Sequence, residues 1–245
     1  MGTSTVLKDC RVYSGGYDLS GSTNSASLTY AFDELDATMF TAATRFSKPG
    51  LAKLSFDMSG LTYSDGSDEP EDVFYSSLGS TSNPLTIAPL TGAAGEVAYF
   101  AETLQLSYSM GGPVGELCPF TVSGTGQGSK LVRGTIFGTG AKTSTGNSSA
   151  YQLGAVSATQ YVYGVLHVLA VSGTDPTLDV IVQSDDAEGF SSGATRLTFT
   201  QNTTIGSQFI TPVAGPITDD WWRATWTIGG TNTPSFTIAL IVGIL

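Results

Sequence analysis

Short runs of β-branched and aromatic residues, separated by turn-forming residues, constrain this chain more than any other feature of its sequence. The breaks between the runs are rich in Gly, Asn, Asp and Pro. In the first half of the chain the runs are Arg11–Tyr13, Ser25–Tyr30, Lys53–Met58, Val97–Phe100, Leu104–Tyr108 and Phe120–Ser123. Branched and aromatic side chains suit a pleated, half-buried surface, so this rhythm is typical of antiparallel strands. It predicts a β-sandwich or β-barrel.

Composition supports an all-β fold. The chain has 30 glycines and only 13% charged residues, whereas a helical protein would be rich in Ala, Glu, Lys and Leu. One short helix is predicted at Pro70–Leu78, where Val73, Phe74 and Leu78 form an apolar stripe. We expect Asp68 to cap its first turn and Gly79 to end it.

A change of composition divides the chain near residue 141. Residues 131–151 are rich in Gly, Ser and Thr, and longer apolar strands follow. We therefore predict two domains, 1–140 and 141–245. The strands predicted in the second are Tyr161–Ser172, Leu178–Gln183, Arg196–Thr200, Trp222–Ile228 and Phe236–Val242.

Two similar segments in the second half predict its topology. Ser172–Leu178 and Gly230–Phe236 each place a Pro within a Gly- and Thr-rich stretch between two apolar strands. Both are typical of tight hairpin turns. Two such hairpins favour a jelly-roll or immunoglobulin-like β-sandwich.

The residues needed for catalysis or metal binding do not form recognisable groups. His167 is the only histidine and lies among apolar neighbours, which favours a packed side chain over a catalytic one. Gly134–Thr143 looks like a phosphate loop, but Ala141 stands where a glycine must precede the lysine, so we interpret the segment as a flexible linker. The acidic residues around the predicted helix lack the spacing of a calcium loop and fit a solvated helix start; they are Asp65, Asp68, Glu69, Glu71 and Asp72. We expect no catalytic residue, no metal and no cofactor.

The cluster Asp219–Arg223 leaves an alternative open. Aromatic side chains beside carboxylates are a common way to bind sugar rings, so Trp221 and Arg223 are candidate glycan contacts. Strand alternation favours a different role, because it sends Trp222 and Trp226 to one face as core. Trp221 and Arg223 would then share the other face and stack on each other.

Charge and chain ends limit the partners and the compartment. A net charge of −11 disfavours attraction to nucleic acid, whose backbone is bound by clustered Lys and Arg. No apolar run is long enough for a membrane-spanning helix, and Met1–Ser4 do not begin a signal peptide. We therefore expect a soluble protein assembled in a cytoplasm, with Cys10 and Cys118 reduced.

Three groups of residues in the first half follow one another in the order of a known family. They are Gly16–Ser20 (Gly-Tyr-Asp-Leu-Ser) after the first strand, Leu35–Thr38 (Leu-Asp-Ala-Thr) after the second, and Thr44-Arg45 before a turn that ends at Gly50. In this order and spacing the chain resembles the major tail proteins, or tail tube proteins, of siphophages. The resemblance extends to about residue 123. The second half is similar to accessory β-sandwich modules of phage virion proteins.

The resemblance implies a structural role without catalysis. Members of that family form hexameric rings that stack into a tail tube, through which genomic DNA passes without specific binding. For this chain it implies a tail-tube-like sandwich or barrel over 1–140, an outer, peripheral domain over 141–245, and contacts with other tail proteins in the virion but not with membranes. The long segment 33–50 would be an arm that reaches a neighbouring ring; its candidate residues are Asp33, Glu34, Leu35, Asp36, Thr38, Met39, Phe40, Thr44 and Arg45.

Two other functions stay open at this point. Similar β modules also serve as capsid decoration or minor tail proteins, which assemble as trimers instead of stacked sixfold rings. A glycan-binding adhesion module, with Trp221 in contact with host sugars, is the alternative from a different class.

Overall fold

A computed structural model describes residues 7, 9–41, 43–63 and 69–245, and in this part of the chain the fold is all-β, as predicted. The strands form an antiparallel sheet. In chain order the elements are β1 (Arg11–Ser14), β2 (Tyr17–Asp18), β3 (Ser25–Asp36), β4 (Ser47–Thr62), α1 (Pro70–Ser76), β5 (Asn83–Ala88), β6 (Val97–Met110), β7 (Pro119–Gly126), β8 (Val132–Lys142), β9 (Gly146–Asn147), β10 (Tyr151–Gln152), β11 (Tyr161–Asp185), β12 (Ala194–Thr198), β13 (Gly206–Phe209), β14 (Val213–Ala214) and β15 (Trp221–Ile244).

The described residues form two compact units that interleave along the sequence. Unit 1 takes its residues from Met1–Gly21, Asn83–Ala101 and Val132–Leu245, and unit 2 takes them from Ser22–Ser82 and Glu102–Leu131. This division differs from consecutive domains at 1–140 and 141–245, whose boundary falls near the end of β8. The division into consecutive domains stays a prediction.

The Gly-rich segment Gly134–Thr143 is not a flexible linker. Most of it is strand β8, which pairs with β15 from Thr135 to Lys142. A glycine is required for the close approach of these strands at one point, because a Cβ on Gly134 would lie 2.5 Å from the carbonyl oxygen of Val242. Here glycine marks tight packing between strands and not a mobile connection.

The core of unit 1 surrounds the paired strands β11 and β15. One hydrophobic cluster contains Leu166 and Leu240, and a second contains Val165 and Ile241. Since neighbouring residues of a strand point to opposite faces, this sheet is buried on both sides. That explains why Tyr161–Ser172 and Phe236–Val242 show little polar alternation in the sequence.

The two predicted hairpin turns of the second half are wrong. Ser172–Leu178 and Gly230–Phe236 lie inside β11 and β15, which pair with each other along their whole lengths. Register shifts fall at Ser172/Thr174 and Thr174/Thr177, and Gly173, Asp175, Gly230, Asn232 and Thr233 have positive φ. Bulges of this kind bend a strand. Residues on both sides of the bulges, such as Leu166 and Leu178, enter the same hydrophobic cluster.

Unit 2 is a sheet of the order β3-β4-β7-β6, in which β6 contributes Thr103–Met110. Its buried side chains include Phe56, Met58 and Phe120. Helix α1 covers it, with the rings of Phe74 and Phe120 6.4 Å apart. The predicted helix is therefore confirmed over Pro70–Ser76.

The ends of α1 differ in one respect from the prediction. The proposed cap Asp68 lies outside the described residues, and Glu69 occupies the N-cap position without a side-chain hydrogen bond to the helix. At the other end Gly79 has φ of +78°, as a residue that ends a helix often has, and its amide donates to the carbonyl of Gln105 at 3.1 Å.

Candidate assembly surface

The predicted arm, Asp33–Gly50, is the distal part of a long β-hairpin. Strand β3 continues to Asp36 and β4 begins at Ser47, so the connection itself spans only residues 37–46. The sequence-based expectation of a loop throughout 33–50 is corrected in this respect. Pairs such as Leu35↔Lys48 and Asp36↔Ser47 extend the β3–β4 ladder into the arm. In this part β4 pairs with β3 alone, since its pairing with β7 starts only at Ser55.

A bulge sets the direction of the arm. The register of β3 and β4 shifts between Phe32 and Glu34, so Gly50 and Leu51 of β4 lie opposite Asp33 alone and the extra residue is in β4. Gly50 lies beside Asp33, whose carbonyl oxygen would be 3.2 Å from a Cβ at position 50. Bulges increase local twist and bend a hairpin, so the arm leaves the body of unit 2 at an angle defined by the backbone.

Hydrogen bonds organise the tip of the arm. The carboxylate of Asp36 accepts from the amide of Thr38 at 2.9 Å and lies 3.4 Å from Nε of Arg45. The amide of Phe46 donates to the hydroxyl of Thr38 at 2.9 Å. The hydrogen bonds from Thr38, and then that from Arg45, lower the pKa of Asp36. Asp36, Thr38 and Arg45 thus shape the turn. They come from the Leu-Asp-Ala-Thr and Thr-Arg motifs, which meet across it.

The arm presents apolar side chains to solvent. Phe40 and Met39 at the tip are exposed to 112% and 76%, and the neighbouring Leu51 to 82%. Phe32, Leu35 and Phe46 are more than half exposed as well. Exposed apolar side chains that cluster together are typical of protein–protein contacts.

One side of strand β3 has no partner. Within the described residues β3 pairs with β4 alone, so its other edge carries open backbone donors and acceptors over Ser25–Asp36. Natural edge strands are usually protected by charge, proline or shortness. From Ser25 to Phe32 the strand has neither a charged residue nor a proline.

The structure brings all nine predicted arm residues into this one hairpin. Asp33–Asp36 lie in β3, and Thr38, Met39, Phe40, Thr44 and Arg45 lie in the connection. Their role in contacts between subunits stays a prediction. Sequence reasoning missed Phe32, Phe46 and Leu51, although apolar residues flanking a Thr- and Ala-rich segment were a visible signal.

The tryptophan cluster is partly used by the core. Trp222 and Trp226 are buried in one cluster, as predicted from alternation. The guanidinium of Arg223, however, lies 4.3 Å from the ring centre of Phe190, so the predicted partner Trp221 is replaced by Phe190. Phe190 was invisible to alternation because it comes from a loop that follows β11. The glycan contact of Trp221 and Arg223 stays a prediction.

His167 is a packed residue, as expected. It is fully buried, with Nε2 2.8 Å from the hydroxyl oxygen of Thr86 and Nδ1 2.6 Å from the carbonyl oxygen of Gly15. Burial lowers its pKa to about 4. Neither hydrogen-bond partner is an acid, and Thr86 is itself fully buried, so the arrangement joins β11, β5 and the turn between β1 and β2 and offers no open position to a substrate.

Two carboxylates of unit 1 also serve the fold. Asp185 accepts from the amide of Ser192 at 2.9 Å, and its hydrogen bond from that amide is the largest cause of its lowered pKa. Asp219 accepts from the hydroxyl of Ser184 and forms an ion pair with Arg196 at 2.9 Å, and both contacts lower its pKa. These groups are occupied by loop and strand contacts.

Other candidate chemistry can be located in the described residues. Cys10 and Cys118 are half-buried free thiols. In the described ranges no three His, Cys, Asp or Glu side chains group as metal ligands. The single helix there is much too short and polar to cross a bilayer.

Comparisons with known proteins include structural likenesses to phage and virion proteins. No family model and no curated protein sequence matches the chain. The Dit protein (gp 19.1) of phage SPP1, described as a hub adsorption apparatus of phages that infect Gram-positive bacteria, is 11% identical with a TM-score of 0.39, over 97% of this chain and 100% of that one. A chain from the virion of a native gene transfer agent is 9% identical with a TM-score of 0.39, over 52% of this chain and 98% of that one. Likenesses at this level do not establish a shared fold or function.

Proposed function

We propose that this chain is a non-enzymatic structural protein of a phage virion, which assembles through copies of itself into the stacked hexameric rings of a tail tube. The observation that carries the proposal is the exposed apolar arm beside the open edge of β3. The motif order of the first half resembles that of siphophage tail tube proteins and is the reason for proposing stacked rings.

The arm has the composition of an interface and not of a free surface loop. Burying a Phe, Leu or Met side chain stabilises a complex by roughly 1.5–3 kcal/mol. Covering Met39 and Phe40 together would therefore contribute about 3–6 kcal/mol, before the costs of association are subtracted. A monomer would leave these side chains in water permanently, at a risk of aggregation.

Assembly would also satisfy the open edge of β3. A strand from a neighbouring copy can pair with its free donors and acceptors, and a closed ring repeats the same contact around its axis. The uncharged stretch Ser25–Phe32 poses no electrostatic obstacle to such pairing. Ring closure thus accounts for an edge that would otherwise be a liability.

The acidic composition suits a conduit for DNA. With 21 acidic against 10 basic residues, the protein would repel the phosphate backbone, so the genome could pass without sticking to the wall. In this proposal other tail proteins cap the tube, residues 141–245 form its outer part, and the protein resides in the virion tail after assembly in the host cytoplasm.

Replacing the arm tip tests the proposal. In the variant, residues 38–45 give way to Asn-Gly, a pair that favours a two-residue hairpin turn. The amide of Ala37 donates to the carbonyl of Phe46 at 2.8 Å, so the ends to be joined are already adjacent. We expect a folded protein by circular dichroism that remains monomeric by size exclusion under conditions where the wild type assembles.

A matched control separates a specific loss from a general change of the surface. Ile205, 43% exposed in unit 1, is replaced by Ser in one protein, and Met39 and Phe40 are replaced by Ser in another. We expect Ile205→Ser to assemble like the wild type and the double variant to fail. Equal assembly of all three proteins would remove the arm from the mechanism, and isolated trimers would favour a decoration or minor tail protein.

A further inference from the structure

A second group of exposed apolar side chains lies in unit 2, outside the arm. Its residues come from the C-terminal half of β6, from the connection that follows β6, and from α1 and the two residues after α1. Val114 is exposed to 106% and Leu117 to 77%. We call this the loop surface; it comprises Tyr75, Leu78, Leu106, Met110, Val114 and Leu117.

The arm and the loop surface lie at opposite ends of strand β4. At one end of β4, residues 47–50 belong to the arm. At the other end, Thr62 pairs with Pro119, next to the connection that holds Val114. At about 3.3 Å per residue, the 16 residues of β4 span roughly 50 Å. The arm tip of one molecule therefore cannot reach its own loop surface.

Charge differs between the two ends. Arg45, Lys48 and Lys53 lie in or beside the arm. After Lys53 the next Lys or Arg in the sequence is Lys130. Two of the three arm carboxylates are engaged locally, because Glu34 accepts from Ser47 and Asp36 contacts Thr38 and Arg45, and the third is Asp33. Among the described residues neither Lys48 nor Lys53 forms an ion pair.

The charged residues that flank the loop surface in sequence are acids. Asp72 in α1 and Glu116 in the connection after β6 are exposed, and no basic residue lies near them in sequence. Glu71 accepts a hydrogen bond from the hydroxyl of Tyr108 at 2.9 Å, which ties α1 to β6 and holds the two parts of the surface together. Lys48 and Lys53 of one copy can thus meet Asp72 and Glu116 of another, around apolar centres of similar character.

We infer that the arm of one copy docks on the loop surface of the next copy. This inference rests on the proposed function and names the surface that receives the arm. Because the two surfaces are different and lie at opposite ends of unit 2, the contact is heterologous and leaves each molecule with one free arm and one free loop surface. Such a contact propagates from copy to copy, as stacked rings require.

Cysteine cross-linking of mixed variants tests the inference. In a background of Cys10→Ser and Cys118→Ser, one protein carries Thr41→Cys and another carries Pro113→Cys; both positions are exposed and lie next to Phe40 and Val114, whose side chains stay in place. With a short bismaleimide we expect cross-linked dimers in the mixture and none in either variant alone. A Thr41→Cys dimer formed alone would show arm-to-arm contact and overturn the inference.

The assembly state is measured in the same samples by electron microscopy. Assemblies without a mixed cross-link would refute the docking site while leaving self-assembly intact, whereas wild-type protein that never assembles would refute the proposed function itself.

A charge exchange provides an independent readout. Lys48→Glu should weaken association by up to about fivefold at low salt, since an exposed ion pair contributes at most about 1 kcal/mol, and Glu116→Lys in the same chain should restore it. Glu188→Lys, an exposed change in unit 1, is the control and should not rescue. Failure of Glu116→Lys and of Asp72→Lys to rescue Lys48→Glu, together with absence of the cross-link, would overturn the inference.

Discussion

The buried histidine of unit 1 makes the stability of this protein depend on pH in a predictable window. The carbonyl of Gly15 can only accept, so Nδ1 of His167 donates to it and Nε2 accepts from the hydroxyl of Thr86. A second proton would have to enter at Nε2, within a fully buried site. Burial is the largest cause that lowers the pKa of His167 from 6.5 to about 4.

The sign and size of the effect follow from these two pKa values. Between pH 6.5 and 4 the unfolded chain binds a proton at His167 that the folded chain does not, so folding is weakened as the pH falls through this range. From pH 7.5 to pH 4.5 the loss is about 2.5 kcal/mol, from one group with pKa values of 6.5 unfolded and about 4 folded. Above pH 6.5 the contribution of the neutral histidine to stability is complete.

Urea unfolding of wild type and His167→Gln at both pH values measures this contribution. Gln keeps one donor and one acceptor but does not titrate. All three tryptophans lie in β15, so their fluorescence reports unit 1, which contains His167. We expect wild type to lose about 2.5 kcal/mol more than the variant on acidification, because the carboxylates titrate alike in both. An equal loss in the two proteins would refute the assignment of a buried, neutral His167.

Three further predictions concern packing and the open alternative. Trp222→Ala should destabilise unit 1 by about 3–5 kcal/mol, because the fully buried ring also donates from Nε1 to the carbonyl of Gly154 at 3.0 Å; a melting temperature close to wild type would contradict its place in the core. Gly134→Ala should unfold or markedly destabilise the protein, since its Cβ would lie 2.5 Å from the oxygen of Val242, whereas Gly21→Ala, with nothing within 4 Å, should be nearly neutral in the same thermal melt. On a glycan array, wild type and Trp221→Ala should give equal signals if the protein is purely structural; sugar binding that is lost in Trp221→Ala would instead support the adhesion module.

Local pattern was sufficient to predict helix α1 and part of the strands of this fold. Alternation placed Trp222 and Trp226 in the core, and the apolar stripe with Pro70 and Gly79 defined helix α1. Each of these signals depends on residues within one element. That is why all six strand segments predicted in the first half lie within observed strands.

Long-range pairing was beyond the reach of local pattern. Ser172–Leu178 has the composition of a turn, but its partner is Gly230–Phe236, about 60 residues away, and the two pass each other as bulges. Similarly, the glycines of 134–143 allow close packing against β15, which composition cannot distinguish from mobility. The division into interleaved units depends on the same distant pairings.

The candidate site was predictable in position but not in form. The motif order identified 33–50 as a projecting segment, and its tip is exposed. The hairpin ladder, the bulge opposite Asp33 and the loop surface at the other end of β4 come from pairings between strands, which no single segment encodes.

Negative-stain electron microscopy of the purified chain across a range of concentrations measures self-assembly most directly. We expect stacked rings with sixfold symmetry that lengthen as the concentration rises, and single particles from the protein whose arm tip is replaced by Asn-Gly. Wild-type protein that stays a single particle at every concentration would contradict self-assembly as its function.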